Sequence, residues 1–244
     1  MTELGNKIAL VTGASSGIGA AIALGLARAG ARVGLAGRNL DRLTETAAAA
    51  GEFSPQVHRY QADLTQMRDL YSLKAAVNDD FGGLDVIVHA AGAFRSGRIE
   101  QGDPELLMEL FRINTWSPYA LTHLFLPVIR QRRGSVVFIN SRAGLRAPAG
   151  LSQYAASKFA LRAIADVLRA EVSPDGVRVI TLYPGKVATP MQEQLQEQAG
   201  RPYFPDQLTQ AQDVAELVLT ALRMPPTTEL SDVIIQPQQD PYSG

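Results

Sequence analysis

The 244-residue sequence contains no cysteine, only four lysines and a single tryptophan. Without cysteine there is no disulfide framework and no thiolate metal site, and the composition suits a reducing compartment. The formal net charge is -1 and aromatic residues make up 7% of the chain, so no nucleic-acid or acidic-membrane partner is indicated. We therefore expect a small soluble substrate.

Long hydrophobic runs are also missing. No stretch of about 18 apolar residues is free of Arg, Asp, Glu or Pro, so the sequence predicts no membrane span. The N-terminal residues pass directly into a strand-like segment without the features of a secretion signal, which predicts a cytoplasmic protein. His58, His89 and His123 lie far apart and none is spaced as a metal-ligand pair, so no metal site is predicted.

Short apolar segments alternate with longer helical patterns, which indicates βαβ units around a parallel sheet. We predict an α/β protein with a Rossmann-type, doubly wound sheet of seven parallel strands in a three-layer αβα sandwich. The predicted strands are 7–12, 31–37, 56–61, 84–90, 134–140, 177–183 and 232–236. The predicted helices are 17–29, 40–50, 67–81, 104–132, 151–172 and 212–223.

One domain is expected over residues 1–244, with a mainly cofactor-binding half at 1–92 and a catalytic and substrate half at 93–244. Within the second half, residues 186–210 are rich in Gln, Pro and Gly and fit neither a strand nor a long helix. A segment this long in a compact domain is more often a functional flap than a linker. Met191, Leu195 and Ala199 stand at i, i+4 and i+8, which predicts a short amphipathic helix in this flap.

A glycine-rich turn, TGASSGIG from Thr12 to Gly19, separates the first predicted strand from the first helix. Glycine permits a tight turn and lets a pyrophosphate approach the backbone, and the following helix offers free N–H groups and the positive end of its dipole. The pattern predicts a phosphate-binding turn, although a glycine-rich turn without a ligand is an alternative.

The stretch SQYAASKFAL at 152–161 places Tyr154 and Lys158 at i and i+4 on one helix face. A free Tyr has a pKa of about 10, so it transfers protons poorly at neutral pH unless its phenolate is stabilised. We expect the ammonium of Lys158 to lower the pKa of Tyr154. Lys suits this position better than Arg, because an ammonium can relay a proton and a guanidinium cannot be deprotonated.

These features together resemble the short-chain dehydrogenase/reductase family, and the resemblance extends over almost the whole chain. It rests on residues that keep the family's spacing: Gly13, Gly17, Gly19, Ser141, Tyr154 and Lys158. The resemblance implies four catalytic residues. Ser141 would polarise the substrate oxygen, and Tyr154 would give a proton to that oxygen or take one from it. Lys158 would supply a positive charge beside Tyr154. Asn114 would hold a helix irregularity and a water of the proton relay.

A cofactor-binding set is implied by the same resemblance. Asp63 matches the family's adenine-contacting Asp, while the backbone near Val187 and the hydroxyl of Thr189 match the groups that hold the nicotinamide carboxamide. The full implied set is Gly13, Ser15, Ser16, Gly17, Ile18, Gly19, Arg38, Asp63, Leu64, Ala91, Gly92, Tyr154, Lys158, Pro184, Gly185, Val187 and Thr189.

The end of the second predicted strand indicates which nicotinamide cofactor is used. An acidic residue there would accept hydrogen bonds from the ribose, whereas a 2′-phosphate needs a cation. The chain has Gly37 at the usual acidic position and Arg38 next to it. A charge-assisted bond from Arg to phosphate contributes about 1.5 to 3 kcal/mol, so we predict NADP(H). A solvated Arg38 is the alternative.

We therefore expect an NADP(H)-dependent oxidoreductase that transfers a hydride between the nicotinamide and a small ketone, aldehyde or hydroxy acid. Candidate substrate residues are Phe94, Arg142 and Met191. Arg142 and Arg146 could bind a carboxylate or phosphate, or could be solvated. A 3-oxoacyl-thioester reductase and a catalytically idle NADP(H)-binding regulator remain alternatives, and the sequence does not identify the substrate or the direction of reaction.

Two segments depart from the family pattern. His89 stands first in His-Ala-Ala-Gly, where the family has Asn-Asn-Ala-Gly, and we expect this ring to share the structural role of the Asn in tying neighbouring strands together. The ending SDVIIQPQQDPYSG lacks the glycine-rich sequence of the fatty-acid reductase branch, whose last strand helps build a tetramer. The helices at 104–132 and 151–172 still predict a homodimer or homotetramer, because the family pairs these helices across subunits.

Overall fold

Strands and helices alternate along residues 4–242, which are the residues that the computed structural model describes. The ends of the predicted domain, residues 1–3 and 243–244, lie outside this range. The strands are β1 (Ile8–Thr12), β2 (Arg32–Gly37), β3 (Val57–Gln61), β4 (Val86–His89), β5 (Ser135–Ile139), β6 (Arg178–Pro184), β7 (Val187–Ala188), β8 (Thr209–Gln210) and β9 (Asp232–Ile235). The helices are α1 (Gly17–Arg28), α2 (Leu40–Gly51), α3 (Met67–Phe81), α4 (Pro104–Phe111), α5 (Ser117–Gln131), α6 (Ser152–Val172), α7 (Pro190–Gln198) and α8 (Ala211–Arg223).

Seven of the strands form one parallel sheet in the order β3-β2-β1-β4-β5-β6-β9. β1 and β5 are buried along their whole length, as strands covered by helices on both faces are. The chain leaves β1 in one direction for β2 and β3, then returns past β1 to β4. Loops after β1 and β4 therefore diverge, and the crevice between them at the carboxyl ends is where such sheets bind ligands. The predicted fold is confirmed.

Two hydrophobic cores lie on opposite faces of this sheet. α1, α2 and α8 cover one core, and α3, α5 and α6 cover the other. Along β1, Ala9 and Val11 belong to the first core and Ile8 and Leu10 to the second, because successive side chains of a strand alternate between faces. Among the described residues, no helix combines the length and apolar character that a bilayer crossing needs.

The predicted helix at 104–132 is divided in two. A π-helical turn at Arg112–Trp116 separates α4 from α5. Such a turn adds one residue to a helical turn without ending the helix, and π-turns are frequent at functional sites. Hydrophobic periodicity does not reveal it, because α4 and α5 continue the same helical path on either side.

The flap at 186–210 contains more regular structure than predicted. β7 pairs with β8, and α7 lies between them. The predicted flap helix is present and Leu195 is half-buried, but Met191, which was expected on the same apolar face, is 44% exposed, and Gln196 is buried. Ala199 is exposed and lies just beyond the helix end. The side chain of Thr189 accepts a hydrogen bond from the backbone N–H of Gln192, and this cap fixes where the helix begins.

Candidate active site

The glycine-rich turn connects β1 to α1 at the centre of the crevice. Gly13 has a φ of +66°, and a Cβ atom there would lie 2.7 Å from Cα of Ala91. A Cβ at Gly19 would lie 2.3 Å from the carbonyl oxygen of Gly13. The N-cap Ser16 makes no side-chain capping bond, so the first N–H groups of α1 are left for another acceptor. This backbone-lined cradle fits the pyrophosphate of a dinucleotide.

Thr12 joins the glycine-rich turn to the segment after β4. Its hydroxyl accepts hydrogen bonds from the backbone N–H groups of Ala90 (3.1 Å) and Ala91 (3.2 Å) and donates to the carbonyl of Val88 (3.3 Å). In the sequence, Thr12 stood out only as the first residue of the glycine-rich motif. Its position at the end of a buried strand, followed by glycine, was the available signal.

The carboxyl ends of β2 and β3 bring Arg38 and Asp63 to the same edge of the sheet. The side chain of Gln61 donates to the carbonyl of Arg38 at 3.0 Å. Partial burial acts to raise the pKa of Asp63, but hydrogen bonds from Thr65 and the charge of Arg38 hold this pKa below its usual value. A Cβ at Gly37 would lie 3.7 Å from the hydroxyl of Ser15, which places the glycine-rich turn beside this edge.

Ser141, Tyr154 and Lys158 come together between β5 and α6. The Ser141 side chain lies near Tyr154 and acts to lower the pKa of Tyr154, and its hydroxyl accepts a hydrogen bond from the N–H of Ala143 at 3.1 Å. Ser141 therefore caps the turn after β5 and also lies beside Tyr154. The ammonium of Lys158 lies 5.9 Å from the centre of the Tyr154 ring and donates to the carbonyl of Ile139 at 3.1 Å. The structure thus groups the three side chains that the sequence placed at one point.

The pKa values of this group differ from the expectation. Burial raises the pKa of Tyr154, and the Ser141 hydrogen bond opposes this only in part. Burial also lowers the pKa of Lys158 to about 8. The expected lowering of the Tyr154 pKa by Lys158 is not found, because loss of solvent dominates and the ammonium is directed to a backbone carbonyl. Tyr154 is therefore a protonated phenol at neutral pH.

Asn114 lies in the π-helical turn and is 1% exposed. Its amide accepts from the N–H of Ala93 and donates to the carbonyl of Ala93, both at 2.9 Å. It also donates to the hydroxyl of Ser157 (3.0 Å), which in turn donates to the carbonyl of Tyr154 (2.7 Å). The helix irregularity expected at Asn114 is present. Ser157, which we had not singled out, connects it to the Tyr154 helix.

Asn140 is a second residue that our sequence reasoning missed. It donates to the carbonyl of Lys158 at 3.2 Å and accepts from the N–H of Ser141 at 2.9 Å. A Cβ at Gly144 would lie 2.6 Å from the Asn140 side-chain oxygen and 2.9 Å from the Lys158 carbonyl. Asn140 and Gly144 therefore hold the Ser141 turn tightly against α6. A polar residue at the end of a buried strand, directly before Ser141, was the signal.

The loop predicted to hold the nicotinamide follows β6. Pro184 ends β6, Val187 begins β7, and Thr189 caps α7. A Cβ at Gly17 would lie 3.1 Å from the side-chain methyl of Thr189, so the loop lies over the start of α1.

The three predicted substrate residues have different surroundings. The Phe94 ring lies 4.7 Å from that of Tyr154, centre to centre, at a tilt of 58°. Arg142 is exposed directly after Ser141, and Met191 lies on the outer side of the first turn of α7. The structure thus brings Phe94 to the predicted catalytic group and leaves Met191 facing outward.

His89 is 3% exposed, and burial lowers its pKa to about 3. One ring nitrogen lies 2.9 Å from the hydroxyl of Thr122 on α5, and the ring stacks on Phe138. His89 is a structural residue, as expected, but its ring bonds to a helix, and Thr12 rather than His89 links β1 to the chain after β4. The neutral, buried ring is part of the core.

Replacing His89 with Asn is expected to make the protein less sensitive to acid. The folded-state pKa of about 3 lies below the unfolded value, so between them the unfolded chain binds the proton. Stability therefore rises with pH and is lost as pH falls below about 6.5, amounting to about 2 kcal/mol between pH 7 and 5. Urea unfolding at both pH values measures it. His123→Asn, at an exposed position of α5, is the control, and equal acid losses in wild type and His89→Asn would contradict the assignment.

Comparisons with known proteins agree with this geometry. Residues 7–200 match the family model for short chain dehydrogenases. An uncharacterized oxidoreductase of Staphylococcus saprophyticus is 33% identical over 239 residues, which cover 97% of this chain and 100% of that protein. The alcohol dehydrogenase of the archaeon Thermococcus sibiricus, complexed with 5-hydroxy-NADP, superimposes with a TM-score of 0.86 at 27% identity, covering 96% of this chain and 98% of that one. Actinorhodin polyketide ketoreductase with NADPH gives a TM-score of 0.87 at 26% identity, covering 94% and 95%.

Proposed function

The chain belongs to the short-chain dehydrogenase family, and we propose that it is an NADP(H)-dependent reductase of small carbonyl compounds. As a member of that family it is an oxidoreductase that acts on CH–OH or C=O groups with a nicotinamide cofactor. The observation that carries the proposal is the grouping of Ser141, the half-buried Tyr154 and the buried Lys158 beside the glycine-lined cradle.

Each member of the group has a distinct role in the proposed reaction. Bound NADPH supplies the hydride. Ser141 donates a hydrogen bond to the carbonyl oxygen of the substrate, and Tyr154 gives that oxygen its proton. A phenol that burial keeps protonated suits reduction, the direction in which Tyr154 acts as an acid. Lys158, with a pKa of about 8, can exchange a proton near neutral pH, and Asn114 holds the helix that carries both residues.

The cofactor half of the proposed single domain would bind the dinucleotide along the carboxyl ends of β1, β2 and β4. The cradle at Gly13 would receive the pyrophosphate and Asp63 the adenine side. Val187 and Thr189 would hold the carboxamide, and Arg38 would meet the 2′-phosphate. The NADP-type ligands of the two similar structures support this assignment.

Arg38→Gln is expected to lower kcat/KM for NADPH about tenfold to hundredfold and to leave kcat/KM for NADH nearly unchanged, because one charge-assisted phosphate bond is lost. Initial rates with both cofactors measure the ratio. Arg98→Gln is the matched control, since the Arg98 side chain is 76% exposed and forms an ion pair with the exposed Glu100. A wild-type preference for NADH would contradict the assignment.

Turnover on a panel of ketones, aldehydes and 3-oxoacyl thioesters, followed by the absorbance loss of NADPH, tests the function. Reduction of small carbonyl compounds would support the proposal. Selective reduction of thioesters would favour the lipid-synthesis alternative, and NADPH binding without turnover on every compound would favour an idle regulator.

We also propose that the protein is a homo-oligomer that pairs through α5 and α6. Large apolar side chains of both helices are exposed: Tyr119 is 55%, Phe159 39% and Val167 58% exposed. Exposed apolar side chains on adjacent helices are typical of an interface when they form a contiguous patch.

A further inference from the structure

The C-terminal segment contacts the flap at its start. After β9 the chain returns towards the active site, where Asp240 forms an ion pair with Lys186, the first residue of the flap. Lys186 is one of only four lysines in the sequence. Its ammonium also lies 5.4 Å from the centre of the Tyr242 ring.

Tyr242 contacts the flap at a second point. Its hydroxyl accepts from the N–H of Phe204 (3.0 Å) and donates to the carbonyl of Pro202 (3.1 Å), and its ring stacks on that of Phe204. The N–H of Tyr242 donates to the Asp240 carboxylate at 3.0 Å. The flap therefore holds Asp240 at two points. Lys186, at the start of the flap, binds it directly, and Phe204, near the end of the flap, holds it through Tyr242.

Asp240 lies near Arg142, one of the predicted substrate residues. A Cβ at Gly185, next to Lys186, would lie 3.5 Å from Cδ of Arg142, the residue that follows Ser141. Partial burial acts to raise the pKa of Asp240. The hydrogen bonds from Lys186 and the N–H of Tyr242, together with the charges of Lys186 and Arg142, nevertheless hold this pKa below its usual value. The Asp240 carboxylate therefore forms an ion pair with Lys186 and is also influenced by the charge of Arg142, the residue next to Ser141.

We propose that Asp240 is a specificity-determining residue, whose carboxylate takes the place of a substrate anion between Lys186 and Arg142. The inference rests on the proposed reductase function and narrows its substrate class to carbonyl compounds without a carboxylate near the reacting carbon. A substrate carboxylate would meet cations that are already paired and would be repelled by Asp240.

The test compares ethyl acetoacetate with acetoacetate, which share the keto group and differ in the charged end. Asp240→Asn is expected to raise the ratio of kcat/KM for acetoacetate to that for the ester about tenfold with NADPH. Glu197→Gln removes one carboxylate from an exposed position of α7 and should leave the ratio unchanged. Adding Lys186→Gln to Asp240→Asn should remove the gain, because the cation that binds acetoacetate is then lost.

An unchanged ratio, or an equal loss of activity on both substrates, would overturn the proposal and leave Asp240 only a structural contact of the C-terminal segment. If the wild type reduces neither compound, the proposed substrate range fails separately. The inference is then decided by calorimetric binding of acetoacetate to the complex with NADP+, which should tighten about tenfold in Asp240→Asn. Asp240→Ser repeats the comparison if the Asn variant has a lowered Tm.

Discussion

Tyr154→Phe is expected to lower kcat about a thousandfold while NADPH still binds, because the variant loses the proton donor and little else. Phe keeps the aromatic ring and therefore its packing against Phe94, whose ring lies 4.7 Å away. Steady-state rates on the best carbonyl substrate give kcat, and fluorescence titration with NADPH gives the dissociation constant.

Tyr71→Phe is the control for this change. Tyr71 is 56% exposed on α3, so removal of its hydroxyl should alter neither quantity. Near wild-type turnover in Tyr154→Phe would show that the proton comes from another group. A parallel loss of NADPH binding would show instead that the variant damages the cradle.

The fold followed from local patterns because each of its elements is encoded over a short stretch. Short apolar segments alternating with helical patterns predicted a sheet between two helical layers, and β5 is buried at all of its positions. Once the sheet is parallel, the carboxyl ends of its strands share one edge. Gly13, Arg38 and Ser141, each just after a strand, are therefore near one crevice although they are distant in sequence.

The details of the site could not be predicted, because they depend on contacts between distant parts of the chain. Asn114 bonds to Ser157, 43 positions away, and Lys186 pairs with Asp240, 54 positions away. The direction of the Tyr154 pKa shift depends on burial by the whole fold, whereas i, i+4 spacing reveals only its neighbour Lys158. The flap helix is present as predicted, but its inward side includes the buried Gln196, which an apolar pattern does not indicate.

Gly13→Ala is expected to weaken NADPH binding more than about a hundredfold and to lower the free energy of unfolding by about 3 kcal/mol or more. Two effects act together. The positive φ of +66° disfavours any L side chain, and the new Cβ would lie 2.7 Å from both Cα and N of Ala91. These are backbone atoms, so relief requires movement of the chain after β4, which lines the cradle.

Gly82→Ala separates these two effects. Gly82 ends α3 with a φ of +67°, nearly that of Gly13, but a Cβ there would have no heavy atom within 4 Å. Backbone strain alone should cost this variant about 1 to 2 kcal/mol and leave NADPH affinity unchanged. Urea unfolding and NADPH titration of both variants measure the contrast. Equal losses of stability with intact NADPH binding would mean that the close approach of Gly13 to Ala91 does not shape the cofactor site.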